Sequence, residues 1–221
     1  MMPGIVVFLG PSLDRDHAGQ LLAATFFPPA KRGDIAAAAA GGARIITLID
    51  GVFFQNDAVG HREILDAITE GVHVIGASSM GALRAAELEV LGMEGVGEIF
   101  CLYRDGVLIS DDEVALIYDP ETFLPLSEPL INIRCTLRKA EEAGALCHET
   151  AELLLETARS LYFPERTWEA IMARAEDRIS RDERERLPAV LSRFTVDKKR
   201  EDAVLALKRT RELARERGIG G

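Results

Sequence analysis

Apolar, β-branched runs alternate with segments of helical period through the first ninety residues. Ile5-Val6-Val7-Phe8-Leu9 is closed by Gly10-Pro11-Ser12, which predicts a buried strand running into a turn. A short helix over residues 18–25 follows, then a loop over 28–34. Asp34 is the predicted N-cap of an alanine-rich helix over 35–40 that Gly41-Gly42 ends. A second strand over 44–49 stops at Asp50-Gly51. Residues 58–70 carry Ile64, Leu65 and Ile68 on one side and stop at Gly71, which predicts a helix. A third strand over 72–75 leads at once into Gly76-Ala77-Ser78-Ser79-Met80-Gly81 and a helix to about residue 91. This alternation predicts an α/β fold, a parallel sheet flanked by helices. Its ligands belong beyond the carboxyl ends of the strands, so Gly10-Pro11-Ser12, Asp50-Gly51 and Ser78-Ser79 should share one rim.

The pattern then changes. Residues 92–129 are mixed, with a turn at Arg104-Asp105-Gly106-Val107 and a strand or helix over 113–118. Beyond 132 the chain is helix-compatible over 136–143, 149–162, 168–178, 181–192 and 197–217, with Pro164 and Pro188 marking breaks or helix starts. The expected division is therefore an α/β core over 1–130 and an all-helical C-terminal portion over 131–221. Charge follows it. The chain carries a formal −10; residues 1–130 hold seven Lys and Arg against nineteen Asp and Glu, and residues 131–221 nineteen against seventeen. An acidic chain of this kind argues against a general nucleic-acid binder. With 48% hydrophobic residues it has enough apolar side chain for a core.

Met1-Met2-Pro3-Gly4 leads into the first strand with no basic region or cleavage pattern, and no apolar stretch approaches the roughly 18 residues of a membrane helix. Cys101, Cys135 and Cys147 form no Cys-x-x-Cys pair and read as reduced thiols in a cytoplasm. His17, His61, His73 and His148 show no ligand spacing with them, so neither a metal nor another cofactor is expected. Asp111-Asp112-Glu113 suggests a metal at first sight, but adjacent acids read more simply as a solvated helix start.

The sharpest chemical signal is Ala77-Ser78-Ser79-Met80-Gly81, which approximates the Gly-x-Ser-x-Gly nucleophile elbow with alanine in the first small position. Small residues at 76, 77, 81 and 82 permit a tight turn that lifts one hydroxyl above the sheet edge, beside the amides of the next helix. Ser79 is the candidate nucleophile; the simpler role for Ser78 or Ser79 is to cap that helix, and the two roles are compatible. His61, at the start of the helix after Asp50-Gly51, is the candidate base, with Asp50 as an orienting carboxylate or merely the cap of its turn. His73 reads as a core residue and His17 and His148 as surface. Arg84 points either to the rim or to an acid such as Glu87. Arg134 sits in an apolar stretch, so it either pairs with a buried carboxylate or binds an anion. Arg32 offers another cation; Gly10, Ser12 and Ser78 complete the candidate substrate-binding set.

Several blocks together resemble the TfuA-like proteins: Val7-Phe8-Leu9-Gly10-Pro11-Ser12, Pro28-Pro29-Ala30 with Arg32-Gly33-Asp34, Ile49-Asp50-Gly51-Val52-Phe53, His61-Arg62-Glu63-Ile64-Leu65, the run from Gly76 to Glu87, Gly92-Met93-Glu94-Gly95-Val96-Gly97 and Asp111-Asp112-Glu113-Val114-Ala115. The similarity runs from about residue 5 to 145, and Thr195-Val196-Asp197-Lys198-Lys199-Arg200-Glu201-Asp202-Ala203 resembles the family's tail. The resemblance implies partnership with a YcaO enzyme, which activates a peptide backbone amide with ATP, and a part in making thioamides. It implies sulfur delivery, by hydrolysis of the C-terminal thiocarboxylate of a ThiS-like ubiquitin-fold carrier. The alternatives are a non-catalytic adaptor that recruits peptide or carrier to the YcaO enzyme, and a nucleotide-binding module built on the Gly10-Pro11-Ser12 and Ser79 turns, which lacks a phosphate-loop lysine.

Overall fold

A computed structural model describes residues 4–53 and 57–219; Met1, Met2 and Pro3, on which the expectation of no leader rested, lie outside them. The chain forms two compact units. The first is Met1–Asp111 with Lys199–Gly221, the second Asp112–Lys198. The division thus falls twice, at 111/112 and at 198/199, in place of the single boundary expected at 130.

In the first unit the order is β1 (Ile5–Phe8), α1 (Arg15–Leu21), β2 (Thr25–Phe27), α2 (Asp34–Ala40), β3 (Ile45–Leu48), α3 (His61–Thr69), β4 (His73–Ala77), α4 (Met80–Leu88), β5 (Glu94–Val96) and α5 (Glu98–Arg104). The strands form one parallel sheet in the order β2-β1-β3-β4-β5. The α/β parallel architecture is the one expected. Two edge strands are additions: β2 takes residues 25–27, where the predicted first helix ended at 25, and β5 lies in the stretch read as mixed. Asp34 is the first helical residue of α2 rather than its cap, and its side chain accepts from the Lys31 amide instead.

Alternate residues of the central strands face opposite helical layers. Ile5, Val7, Leu9, Ile45, Ile49, Ile75 and Ala77 pack with Ala18 of α1 and with Ala203, Ala206, Leu207, Leu213 and Ala214 of α10 (Lys198–Glu216). The last helix therefore belongs with the sheet, because its apolar stripe at i, i+3, i+4 spacing covers the sheet's exposed side. A buried polar pair sits in this layer, Thr47 Oγ1 to Thr210 Oγ1 at 2.7 Å. Thr210 already gives its proton to the Ala206 carbonyl, so Thr47 is the donor.

On the other face, α4 lies almost against the backbone of β3 and β4. A Cβ on Gly81 would stand 1.8 Å from the Leu48 carbonyl oxygen, and one on Gly76 would stand 2.2 Å from the Gly81 carbonyl oxygen. The Gly81 amide donates to Ile49 O at 3.2 Å.

The second unit packs α6 (Leu130–Glu142), α7 (His148–Ser160), α8 (Trp168–Ala175) and α9 (Arg181–Phe194) around Leu137, Leu154, Ile171, Leu187 and Leu191. Pro188 lies inside α9 and does not break it. Among the described residues no helix is long and apolar enough to cross a membrane.

The close approach of α4 predicts that Gly81→Ala lowers unfolding free energy by about 3 kcal/mol, since backbone must move to admit the methyl. Gly19→Ala, in open space on α1, should instead raise it by about 0.5–1 kcal/mol. Urea denaturation of the two variants checks both signs. A second expectation concerns Glu94, at the start of β5. The His73 hydrogen bond, helped by the Arg209 guanidinium, overcomes the effect of burial and lowers its carboxyl from 4.5 to about 2. A depressed folded-state value means that stability is fully present above about pH 4.5 and fades as the pH falls towards 2. Glu94→Gln should flatten the pH dependence of the melting temperature in that window.

Candidate functional site

The carboxyl ends of β1, β3 and β4 meet as the sequence implies, and they are laced together by side chains. In the order β2-β1-β3-β4-β5, as in flavodoxin-like sheets, the connection changes sides between β1 and β3 and opens a crevice at their carboxyl ends. Here that crevice is filled from within. Asp50, 2% exposed, follows β3; its Oδ2 accepts from the amides of Gly10 at 2.9 Å and Ser12 at 3.1 Å, and its Oδ1 from Ser12 Oγ at 2.7 Å. These amides are the donors a nucleotide phosphate would need. Asp50 already supplies the anion, which removes the structural basis for a nucleotide at this turn. The same three hydrogen bonds occupy the carboxylate as an acceptor, so it acts as a clamp on the β1 turn.

Ser78 extends the network. Its hydroxyl lies 3.0 Å from Ser12 Oγ and 2.9 Å from the carbonyl oxygen of Lys199, and gives its one proton to either. Ser78 also holds the turn's unusual backbone, with φ of 66°, while the Ser79 amide closes back on Ala77 O at 2.8 Å. A positive φ on a non-glycine residue is strained, and here two side-chain contacts hold it. Ser79 is the N-cap of α4, yet its hydroxyl makes no capping hydrogen bond. Of the two serines, Ser78 is tied down and Ser79 is the one set at the helix start without a cap bond.

His61 and Arg84 lie elsewhere on the rim, in a cleft of about 940 Å³ lined also by Arg32, Met80, Glu87 and Ile109. His61 Nε2 meets Glu87 Oε2 at 2.7 Å, and Arg84 Nη1 meets the same oxygen at 2.6 Å. Arg84 Nε donates to Val59 O at 2.9 Å. Arg84 thus takes the Glu87 alternative while still lining the cleft. No hydrogen bond joins His61 to Ser79 or to Asp50; Met80, the residue after Ser79, lines the cleft, whereas Ser79 itself is 2% exposed and is not among the lining residues.

Arg134 is in the second unit, where its Nη2 pairs with Glu113 Oε1 at 2.6 Å, so it takes the buried-carboxylate alternative. Asp112 in turn pairs with the fully buried Arg166 at 2.7 Å. These partnerships account for two acids of the Asp111-Asp112-Glu113 run. Among the described residues no group of three or more His, Cys, Asp or Glu could hold a metal ion.

A family model described as TfuA-like protein matches residues 50–167, a little over half the chain. The chain belongs to the TfuA-like family. No curated protein matches it. The matched span of this TfuA-like chain opens at Asp50 and includes His61, Ser78, Ser79, Arg84 and Arg134, while Gly10, Ser12 and Arg32 precede it.

Two participants escaped the sequence reading. Glu87 was visible only as a partner of Arg84 three residues earlier; nothing local reveals that His61, on another helix, reaches it. Lys199 contributes its backbone carbonyl to Ser78 and is 2% exposed, and a contact across 121 residues leaves no local signal. If Asp50 is the clamp, Asp50→Ala should cost about 3 kcal/mol, because the buried Gly10 and Ser12 amides lose their acceptor. Ser12→Ala should cost about 1 kcal/mol. Equilibrium denaturation measures both, and equal small losses would show that the turn does not depend on the carboxylate.

Proposed function

We propose that this TfuA-like chain serves a YcaO enzyme in peptide backbone thioamidation by releasing sulfide from the C-terminal thiocarboxylate of a ThiS-like carrier. Family membership supports the association with YcaO-dependent thioamide formation. The observation that carries the hydrolytic part is the elbow itself: Ser79 stands at the start of α4 without a cap bond, next to a residue that lines the cleft. Around the helix start the amides of Ser79, Gly81, Ala82 and Leu83 already donate to backbone carbonyls, so the Met80 amide is the donor that an oxyanion would meet.

In the proposed reaction Ser79 Oγ bonds to the thiocarboxyl carbon and the carbon–sulfur bond breaks. Hydrosulfide leaves, the serine proton balancing its charge. Water then adds to the ester carbon, the carbon–serine bond breaks, and serine regains its proton as carboxylate and a free proton form. The sum is thiocarboxylate plus water giving carboxylate, hydrosulfide and a proton, with no change of oxidation state. Because a thiocarboxylate is already anionic and resists nucleophiles, cations matter more than a strong base. Arg32 and Arg84 line the cleft that would receive it. Asp50 has its oxygens engaged, which favours His61 over Asp50 as the group that activates water.

The adaptor reading is favoured by one observation, the absence of a hydrogen bond between Ser79 and a base among the described residues. Sulfide measured after mixing the purified chain with thiocarboxylated carrier separates the two. Hydrolysis predicts release by the chain alone, reduced at least 100-fold by Ser79→Ala. Release that appears only when the YcaO enzyme is added, and survives Ser79→Ala, would replace hydrolysis with recruitment.

A further inference from the structure

Glu87 sits on α4 with two donors converging on one oxygen, His61 Nε2 at 2.7 Å and Arg84 Nη1 at 2.6 Å. Arg84 is itself anchored to the Val59 carbonyl, and its side chain is 13% exposed, whereas that of His61 is 51% exposed. The carboxylate is therefore held from behind by a mostly buried guanidinium and presented to an open imidazole. Such an arrangement has a chemical consequence for the ring. A carboxylate accepting from Nε2 selects the tautomer that carries its proton there, leaving the Nδ1 lone pair free to take a proton.

We propose that Glu87 is the positioning residue for His61, fixing the Nε2–H tautomer so that Nδ1 is the proton acceptor of the cleft. The proposal rests on the hydrolytic reading above and names the device that would make His61 effective in it. When Nδ1 takes a proton from the attacking water, the imidazolium formed lies against the Glu87 carboxylate, which stabilises the new positive charge. The oxygen of that water forms the bond to carbon, and the proton later passes from Nδ1 to the leaving serine oxygen. Arg84 moves no proton; it keeps Glu87 in place.

The charged groups around the ring are few. Glu87 and Arg84 face it from α4, Arg62 adjoins it on α3, and Arg32 and Asp111 line the same cleft from the segments before α2 and after α5. Arg62 is turned to Asp66, one helical turn along, at 3.0 Å. Glu87 is thus the carboxylate in contact with His61.

Glu87→Gln tests this in the full chain, with Glu87→Asp as the charge-restoring control. Sulfide release from thiocarboxylated carrier should show a kcat lowered roughly 10–100-fold with KM changed less than about twofold. Glu87→Asp should recover most of the rate. Nitrogen-15 spectra of the His61 ring give a second readout that needs no turnover: Nε2–H in the native chain, with that preference weakened in Glu87→Gln. A loss of rate that Glu87→Asp does not restore, with unchanged ring spectra, would overturn the proposal and make Glu87 a structural residue. If the native chain releases no sulfide, the hydrolytic reading fails, and the spectra still decide whether Glu87 sets the tautomer.

Discussion

A carboxylate buried at the carboxyl rim of a sheet must find donors or lose several kcal/mol, and Asp50 finds three on the turn of the neighbouring strand. That requirement sets the conformation of Gly10-Pro11-Ser12, because both amides and the Ser12 hydroxyl must point at one side chain. Ser12, its proton spent on Asp50, is then left as an acceptor, and the single Ser78 proton goes either to it or to the Lys199 carbonyl in the first turn of α10. Three strand ends and the returning helix are thereby joined through one charge, and the strained backbone at Ser78 is held by the same chain.

The rim consequently has a closed half and an open half with different chemistry. In the closed half every hydroxyl and carboxylate described above has a partner, which favours rigidity and leaves little capacity for proton transfer. The open half holds the cleft, where His61, Glu87 and Arg84 share one oxygen. Ser79 is joined to the closed half through its neighbour Ser78; it is 2% exposed, and Met80, the next residue, is the one that lines the cleft. The glycines at 76 and 81 make this possible, since the helix bearing Ser79 could not otherwise lie so near the Leu48 carbonyl.

Much of this was legible locally, and the exceptions share a cause. The strands β1, β3 and β4 are apolar runs bounded by turn residues, and their rim placement follows from a parallel sheet. The edge strands β2 and β5 have three residues each, half-buried, and β5 carries Glu94 and Gly95, so neither shows a strand pattern. The helical period of α10 was visible, but not that its stripe of Ala203, Ala206, Leu207 and Leu213 belongs on the sheet. Within the site, the Arg84–Glu87 pair lies at i,i+3 and could be named as an alternative, whereas His61–Glu87 spans 26 residues and Ser78–Lys199 spans 121. Pairings of that range are products of topology, and residue pattern does not encode them.

The acidity of the front part of the chain bears on the site less than its total suggests. Charges separated by more than about 8 Å in water at physiological ionic strength are largely screened, so an anion entering the cleft responds chiefly to the groups that line it. Those are three cations, Arg32, Arg62 and Arg84, against two carboxylates, Glu87 and Asp111. Arg62 pairs with Asp66 in the open and Arg84 with Glu87 in a partly buried setting, and the latter pair still presents a local dipole to an incoming group. The formal charge of −10 therefore does not describe what a group inside the cleft meets. The carboxylates elsewhere on the chain act through the summed field, which bears on the rate of encounter with another protein more than on a group already in the cleft.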